Sequence, residues 1–171
     1  MNTTLNLTGD KTSVFATVEK FLNEAGFRIT GKNFSKPWGG YFVLDESQAV
    51  NFGSMFFPGI AVASLKIGGK LSPKILMVQP GMRLSWQYHH RRAEIWKLVA
   101  GTAGVVTSPT DKEGDVQTLT VGEIIRLDRG QRHRLVGLDG WGMIAEIWQH
   151  TEANHPSDED DIVRVQDDFG R

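Results

Sequence analysis

The stretch PGMRLSWQYHHRRAE, residues 80–94, gathers several metal-ligand side chains around one bend. In a strand, residues two apart point to the same face, so Ser85, Gln87 and His89 are predicted to share one side. Glu94 lies five residues beyond His89, after the predicted bend. The bend allows its carboxylate to return to the cavity that the strand faces.

A second histidine, His133, follows a glycine turn at Gly130. Two imidazoles, a carboxylate and an amide oxygen suit a divalent cation and leave room for water or substrate. We therefore predict one metal site whose ligands are Gln87, His89, Glu94 and His133. Zn²⁺ is the first expectation, and Fe²⁺, Mn²⁺, Co²⁺ or Ni²⁺ would also accept this mixture of nitrogen and oxygen ligands.

Outward from this region, short runs of Val, Ile, Leu and Trp are separated by glycines, a pattern typical of an all-β barrel or sandwich. The predicted strands are 74–79, 94–100, 104–108, 124–128, 133–138 and 143–149. The tail, residues 151–171, is acidic but carries interspersed apolar residues. We therefore expect it to dock against the rest of the chain.

One segment has the periodicity of a helix. Apolar residues recur from Val14 to Ala25 at positions i, i+1, i+4, i+7, i+8 and i+11, which is one face of an amphipathic helix. Asp10 or Thr12 can cap its start, and Gly26 can end it. The helix is expected to pack on the barrel, and a dimer contact is the alternative.

The composition excludes several classes of protein. The 171 residues include 40% hydrophobic and 23% charged residues, which suits one globular domain with a core. The absence of cysteine excludes disulfides, a thiol nucleophile and cysteine-ligated metals. A net charge of -1 argues against nucleic acid as a partner. No apolar run reaches the ~18 residues of a membrane span and no signal peptide is recognisable, so the expected location is the cytoplasm.

The spacing of the predicted ligands is similar to the two motifs of the cupin superfamily. The first motif reads Gly81, five residues, Gln87-Tyr88-His89, four residues, Glu94, six residues and Gly101, with Gln87 where the family has its first histidine. The second reads Gly122, five residues, Asp128-Arg129-Gly130, two residues, His133, three residues and Gly137, without the family's proline and asparagine. The resemblance implies a double-stranded β-helix, the cupin or jelly-roll barrel, with the short N-terminal amphipathic helix added.

Three segments also resemble the C-terminal cupin domain of type II phosphomannose isomerases. They are KPWGGY at 36–41, LSWQYHHRRAEIW at 84–96 and DDIVRVQDDFGR at 160–171. The similarity covers residues 34–171 and implies an N-terminal extension at 1–33. Segment 51–72 is longer than the family needs. Guanylyltransferase activity is not carried over, because no glycine-rich phosphate-binding loop is present.

This resemblance implies a metal-dependent aldose–ketose isomerase that interconverts mannose 6-phosphate and fructose 6-phosphate through an enediol. The candidate catalytic residues are Arg164, Lys97 and Glu146, and His90 and the tail carboxylates are also open as the general base. The candidate substrate-binding residues are Lys36, Lys74, Ser85 and Arg171. Arg132 and Arg134 flank His133 and are expected on the exterior.

Other functions are open on the same barrel, because a fold does not fix a function. One is isomerisation of another sugar phosphate, such as a heptose phosphate. Another is an iron-dependent oxygenase that uses His89, Glu94 and His133. A third is a non-catalytic sugar-binding module. The expected partner is a small-molecule sugar phosphate, and the resemblance to cupins implies a homodimer.

Overall fold

The computed structural model describes residues 4–171, and these residues contain eleven strands. The first three residues of the predicted extension at 1–33 lie outside the described residues. The strands are β1 Ile29–Asn33, β2 Gly39–Leu44, β3 Lys74–Val78, β4 Trp86–Tyr88, β5 Arg92–Gly101, β6 Gly104–Ser108, β7 Gln117–Thr118, β8 Ile124–Leu127, β9 Arg132–Val136, β10 Gly142–His150 and β11 Val163–Gln166. Each predicted strand is present, with ends that differ by at most two residues.

The strands form two antiparallel sheets. The first has the order β1-β2-β3-β10-β5-β8, and the second has the order β11-β4-β9-β6-β7. The predicted extension supplies β1, which pairs with β2 at the edge of the first sheet. The boundary between residues 33 and 34 stays a prediction.

Strand alternation divides the apolar residues between two cores. On β5, Trp96 and Leu98 belong to a core that also contains Leu135 of β9, so this core lies between the two sheets. Ile95 points to the opposite face, where the first sheet packs against helices. Toward the barrel interior, β5 therefore presents apolar side chains at Trp96 and Leu98 and a buried carboxylate at Glu94, which is 2% exposed.

The predicted N-terminal helix is confirmed as α1, Lys11–Glu24. The Asp10 carboxylate caps it by accepting the backbone N–H of Ser13 at 2.8 Å. Gly26 follows the helix with a φ of 86°, a left-handed conformation that favours glycine at a helix end. The apolar stripe of α1 packs on the outer face of the first sheet. The buried members of that stripe are Val14, Phe15, Val18 and Leu22.

A second helix, α2 at Ala49–Phe56, was not predicted. It lies at the start of the segment 51–72, and short 3₁₀ helices stand on either side at Glu46–Gln48 and Val62–Leu65. Phe52 and Phe56 are buried in the same outer core as α1. The segment therefore covers more of the outer sheet face instead of forming a loose insertion.

The acidic tail docks as expected. Residues 151–162, which we call the strap, connect β10 to β11, and β11 then pairs with β4. The Asp161 carboxylate fixes the strap by accepting the backbone N–H groups of His90 at 3.0 Å and Arg91 at 2.9 Å. The Ser157 hydroxyl donates to the same carboxylate at 2.6 Å. The strap is thus anchored to the bend between β4 and β5.

No helix among residues 4–171 has the length and the hydropathy that crossing a membrane requires.

Candidate metal centre and cavity

Three of the predicted ligands meet in the barrel interior: His89 after β4, Glu94 on β5 and His133 on β9. His89 Nε2 lies 3.1 Å from Glu94 Oε1 and 3.3 Å from His133 Nε2. His133 Nε2 lies 3.5 Å from Glu94 Oε2. The candidate ligand atoms all lie within 4.8 Å of one another. The structure therefore brings together residues that are up to 44 positions apart in the chain.

Backbone carbonyl oxygens orient both imidazole rings by contacting Nδ1, the ring nitrogen that points away from the cluster. His89 Nδ1 lies 2.7 Å from the carbonyl oxygen of Asp161, and His133 Nδ1 lies 3.0 Å from that of Gln131. A carbonyl oxygen can only accept, so each Nδ1 carries the hydrogen and each Nε2 turns a lone pair to the cluster. Burial lowers the pKa of His89, which favours its neutral form.

Two imidazole lone pairs 3.3 Å apart and a carboxylate converge on one point, where a cation would relieve their mutual repulsion. This donor set therefore fits a divalent metal ion, which His89, Glu94 and His133 would hold. The fourth predicted ligand, Gln87, lies in the wall of the adjoining cavity. Its Oε1 accepts the hydroxyl of Ser85 at 2.6 Å, and its role as a ligand stays a prediction.

Arg92 closes the cluster on another side. Its Nε donates to Glu94 Oε1 at 2.8 Å, and its Nη2 lies 3.3 Å from His89 Nε2. Burial raises the pKa of the Glu94 carboxyl, but its interactions with His89 and Arg92 outweigh burial, and the pKa lies well below its usual range. Glu94 is therefore a carboxylate, the form that binds a metal.

The cavity beside this cluster contains a second buried carboxyl, Glu146 of β10. Its Oε2 accepts the indole N–H of Trp96 at 2.8 Å, and its Oε1 accepts that of Trp148 at 2.9 Å. Trp96 also donates to Glu94 Oε2 at 3.0 Å. Burial and the negative charge of Glu94 raise the pKa of Glu146 to about 8. The carboxyl can therefore hold a proton near neutral pH.

The predicted cationic residues Lys36, Lys74, Arg164 and Arg171 all line this cavity, together with Ser85. Lys74 is buried and Arg164 is exposed at the mouth. Arg171 is engaged with Asp167, its Nε donating to Oδ2 at 2.8 Å. The structure thus gathers four of the predicted cations around one opening.

Two expectations need correction. Lys97 does not reach the cavity, because it lies an odd number of residues from Glu94 on β5 and points to the opposite face. The placement of Arg134 on the exterior is wrong, since its side chain is fully buried. Its guanidinium donates to the carbonyl of Leu84 at 2.9 Å and to Gln166 of β11 at 2.7 Å. It is therefore a structural tie between β9 and the tail.

Among the cavity residues that the sequence reasoning did not single out are Arg92 and Trp148. Arg92 lies two positions before Glu94, so strand alternation alone would have placed both side chains on one face. Glu159 is one of the tail carboxylates left open as the general base, and the strap carries it to the cavity. His90 does not line the cavity, and its backbone N–H anchors the strap.

Two facing sheets with a His–Glu–His cluster in the interior define a cupin barrel. Solved structures confirm this fold. Oxalate decarboxylase from Bacillus subtilis superposes with a TM-score of 0.54 over 79% of this chain and 30% of that chain, at 12% identity. Vicilin from Corylus avellana gives a TM-score of 0.54 over 81% of this chain and 36% of that chain, at 14% identity. At these identities the likeness shows the fold alone.

The chain belongs to the mannose-6-phosphate isomerase C-terminal family, whose model matches residues 53–167. A mannose-1-phosphate guanylyltransferase of Salmonella montevideo is 31% identical over 143 residues, which are 84% of this chain and 24% of the relative. The alginate biosynthesis protein AlgA of Pseudomonas aeruginosa is 34% identical over 126 residues, 74% of this chain and 24% of the relative. The chain therefore spans about a quarter of the length of these curated relatives. The resemblance to the C-terminal cupin of this family is confirmed.

Proposed function

We propose that the chain is a metal-dependent aldose–ketose isomerase of sugar phosphates, most like a mannose-6-phosphate isomerase. One observation carries the proposal: the buried carboxyl of Glu146 lies beside the His–Glu–His cluster in a cavity lined by cations. Membership of the mannose-6-phosphate isomerase C-terminal family supports the same substrate class. The guanylyltransferase activity that the relatives' names print is not carried over, because the chain spans only about a quarter of those proteins.

The reaction requires a proton to move between C1 and C2 of the open sugar. Of the candidate bases, His90 and Lys97 do not line the cavity, whereas Glu146 and the tail carboxylate Glu159 do. Glu159 is 64% exposed and paired with Lys74, so the buried Glu146 is the candidate we favour. The indoles of Trp96 and Trp148 fix its two oxygens, so the carboxyl is held ready for proton exchange. Burial, the largest cause, raises the pKa of Glu146 above its usual range, which suits proton exchange near neutral pH.

The remaining groups bind and orient the substrate. A divalent cation, when bound, polarises the sugar carbonyl and stabilises the enediolate oxygen. Lys74 holds the phosphate by its charge, and Lys36, Arg164 and Arg171 surround the mouth through which an anion enters. The Ser85 hydroxyl, which donates to Gln87, keeps lone pairs for a sugar hydroxyl.

The proposal is tested with a coupled isomerase assay on mannose 6-phosphate. The purified protein is assayed as isolated, after chelation and after repletion with zinc. Turnover that chelation removes and zinc restores would support the proposal. Bound metal at one equivalent without turnover on mannose, glucose or heptose phosphates would refute it.

A second function has one specific observation in its favour. Two histidines and one carboxylate, here His89, His133 and Glu94, are the ligand set of many iron-dependent oxygenases. The cations of the cavity favour a phosphorylated substrate instead. Oxygen consumption by iron-loaded protein in the presence of sugar substrates would select the oxygenase.

A further inference from the structure

Lys74 is a buried cation whose ammonium group faces the cavity. The residue is 6% exposed, and Nζ lies 3.9 Å from the centre of the Trp148 ring and 5.4 Å from that of Tyr41. β3 is paired on one side with β2 and on the other with β10. The strand and the two rings therefore hold this charge at the cavity wall.

The carboxylate that neutralises Lys74 comes from the strap and not from the barrel. Lys74 Nζ donates to Glu159 Oε1, and the Glu159 side chain is 64% exposed. The strap is anchored on either side of Glu159. Arg92 Nη1 donates to the Ser157 hydroxyl at 2.8 Å, and the backbone N–H of His90 in the bend donates to the Asp161 carboxylate at 3.0 Å. Glu159 can therefore turn into water at little cost while the strap stays anchored.

The nearby barrel carboxyls are engaged with other donors. Both oxygens of Glu146 accept indole N–H groups, from Trp96 and Trp148. Glu94 accepts from Arg92 and Trp96. When Glu159 turns away, Lys74 is a buried cation without a hydrogen-bonded anion, a costly state that attracts another anion.

We propose that Glu159 occupies a phosphate subsite on Lys74 when no ligand is bound, and that the phosphate group of the substrate displaces it. The inference rests on the proposed function, because it assigns one end of the sugar phosphate to Lys74. A carboxylate and a phosphate offer the same kind of charged acceptor to an ammonium group. Glu159 therefore competes with substrate and sets the concentration at which the cavity fills.

Inorganic phosphate is the probe for this test, because its binding requires no turnover. Binding to the full chain is measured by calorimetry and by tryptophan fluorescence, with sodium chloride added to keep the ionic strength constant. Glu159→Gln should bind phosphate about tenfold more tightly than wild type, the affinity equivalent of one hydrogen bond between charged groups. The matched control is Glu152→Gln, an exposed strap carboxylate outside the cavity, which should bind as wild type does.

Variants of Lys74 separate the subsite from general destabilisation. Lys74→Met should lose phosphate binding, and Lys74→Arg, which keeps the charge, should retain it; thermal unfolding shows whether each variant is folded. Wild-type phosphate affinity in Glu159→Gln, or phosphate binding by folded Lys74→Met, would overturn the proposal. Isomerase activity is measured separately. If the variants bind phosphate as expected but the protein shows no turnover, the proposed function is refuted and the phosphate subsite is supported.

Discussion

His150, at the end of β10, is buried and held in one tautomer. Its Nδ1 accepts the backbone N–H of Ser157 at 2.9 Å, so Nε2 carries the hydrogen and faces the hydroxyl of Ser72 at 3.0 Å. Burial, with the charges of Lys70 and Arg92, lowers the pKa of His150 to about 4. A second proton would break this backbone hydrogen bond, one of the contacts that hold the strap at Ser157.

The lowered pKa of His150 makes the free energy of unfolding depend on pH. The unfolded chain takes up a proton at the ordinary pKa of 6.5, whereas the folded chain takes it up only near 4. The stabilisation is therefore complete above pH 6.5 and is lost as the pH falls from 6.5 toward 4. At about pH 5, these two pKa values correspond to a loss of about 2 kcal/mol from this residue.

The measurement is urea unfolding at about pH 7.5 and about pH 5, on wild type and on His150→Asn. Asparagine places an amide oxygen near the position of Nδ1 and does not titrate. Wild type should lose about 2 kcal/mol more than His150→Asn over this interval. His155→Asn is the matched control, because the His155 side chain is 66% exposed, and it should follow wild type. Equal losses in wild type and His150→Asn would refute the reasoning.

Three further predictions concern the site and the barrel. His89→Ala removes a ligand and should weaken zinc binding at least about tenfold by equilibrium dialysis; zinc bound as tightly as in His155→Ala would contradict the assignment. Glu146→Gln should lower kcat for the isomerase about 100-fold or more, with a smaller change in KM, because the amide cannot exchange the proton; a wild-type kcat would exclude Glu146 as the acid–base group. Gly137→Ala places a Cβ 2.0 Å from a backbone carbonyl oxygen and should lower the free energy of unfolding by about 2 kcal/mol or more in urea. Gly140→Ala, whose Cβ meets only ordinary contacts at 3.5 Å, is its control, and equal effects of the two would argue against a steric cause.

The sequence predicted the elements whose pattern is local. The stripe from Val14 to Leu22 and the cap at Asp10 define α1 within one segment, because a helix makes its own hydrogen bonds. Alternation likewise put Gln87 and His89 on one face. The same rule, applied to β5, places Lys97 away from Glu94 and would have removed Lys97 from the candidate bases.

The structure was needed where distant segments meet. His133 reaches His89 because β9 pairs with β4 at Gln87, a register that only the assembled sheet determines. Arg134 points away from the cavity as alternation requires, but the tail covers it, so its burial could not be derived from β9 alone.

The sequence by itself thus determined the class of barrel and which side chains of one strand share a face, because strand and helix periodicities are set by neighbours in the chain. Only the tertiary structure decided that the strap carries Glu159 to Lys74 and that Asp161 orients His89. Those contacts join segments 85 and 72 positions apart. Such contacts cannot be derived from residues that are neighbours in the chain. They form when the two sheets pack on a shared core and the strap is anchored to the bend between β4 and β5.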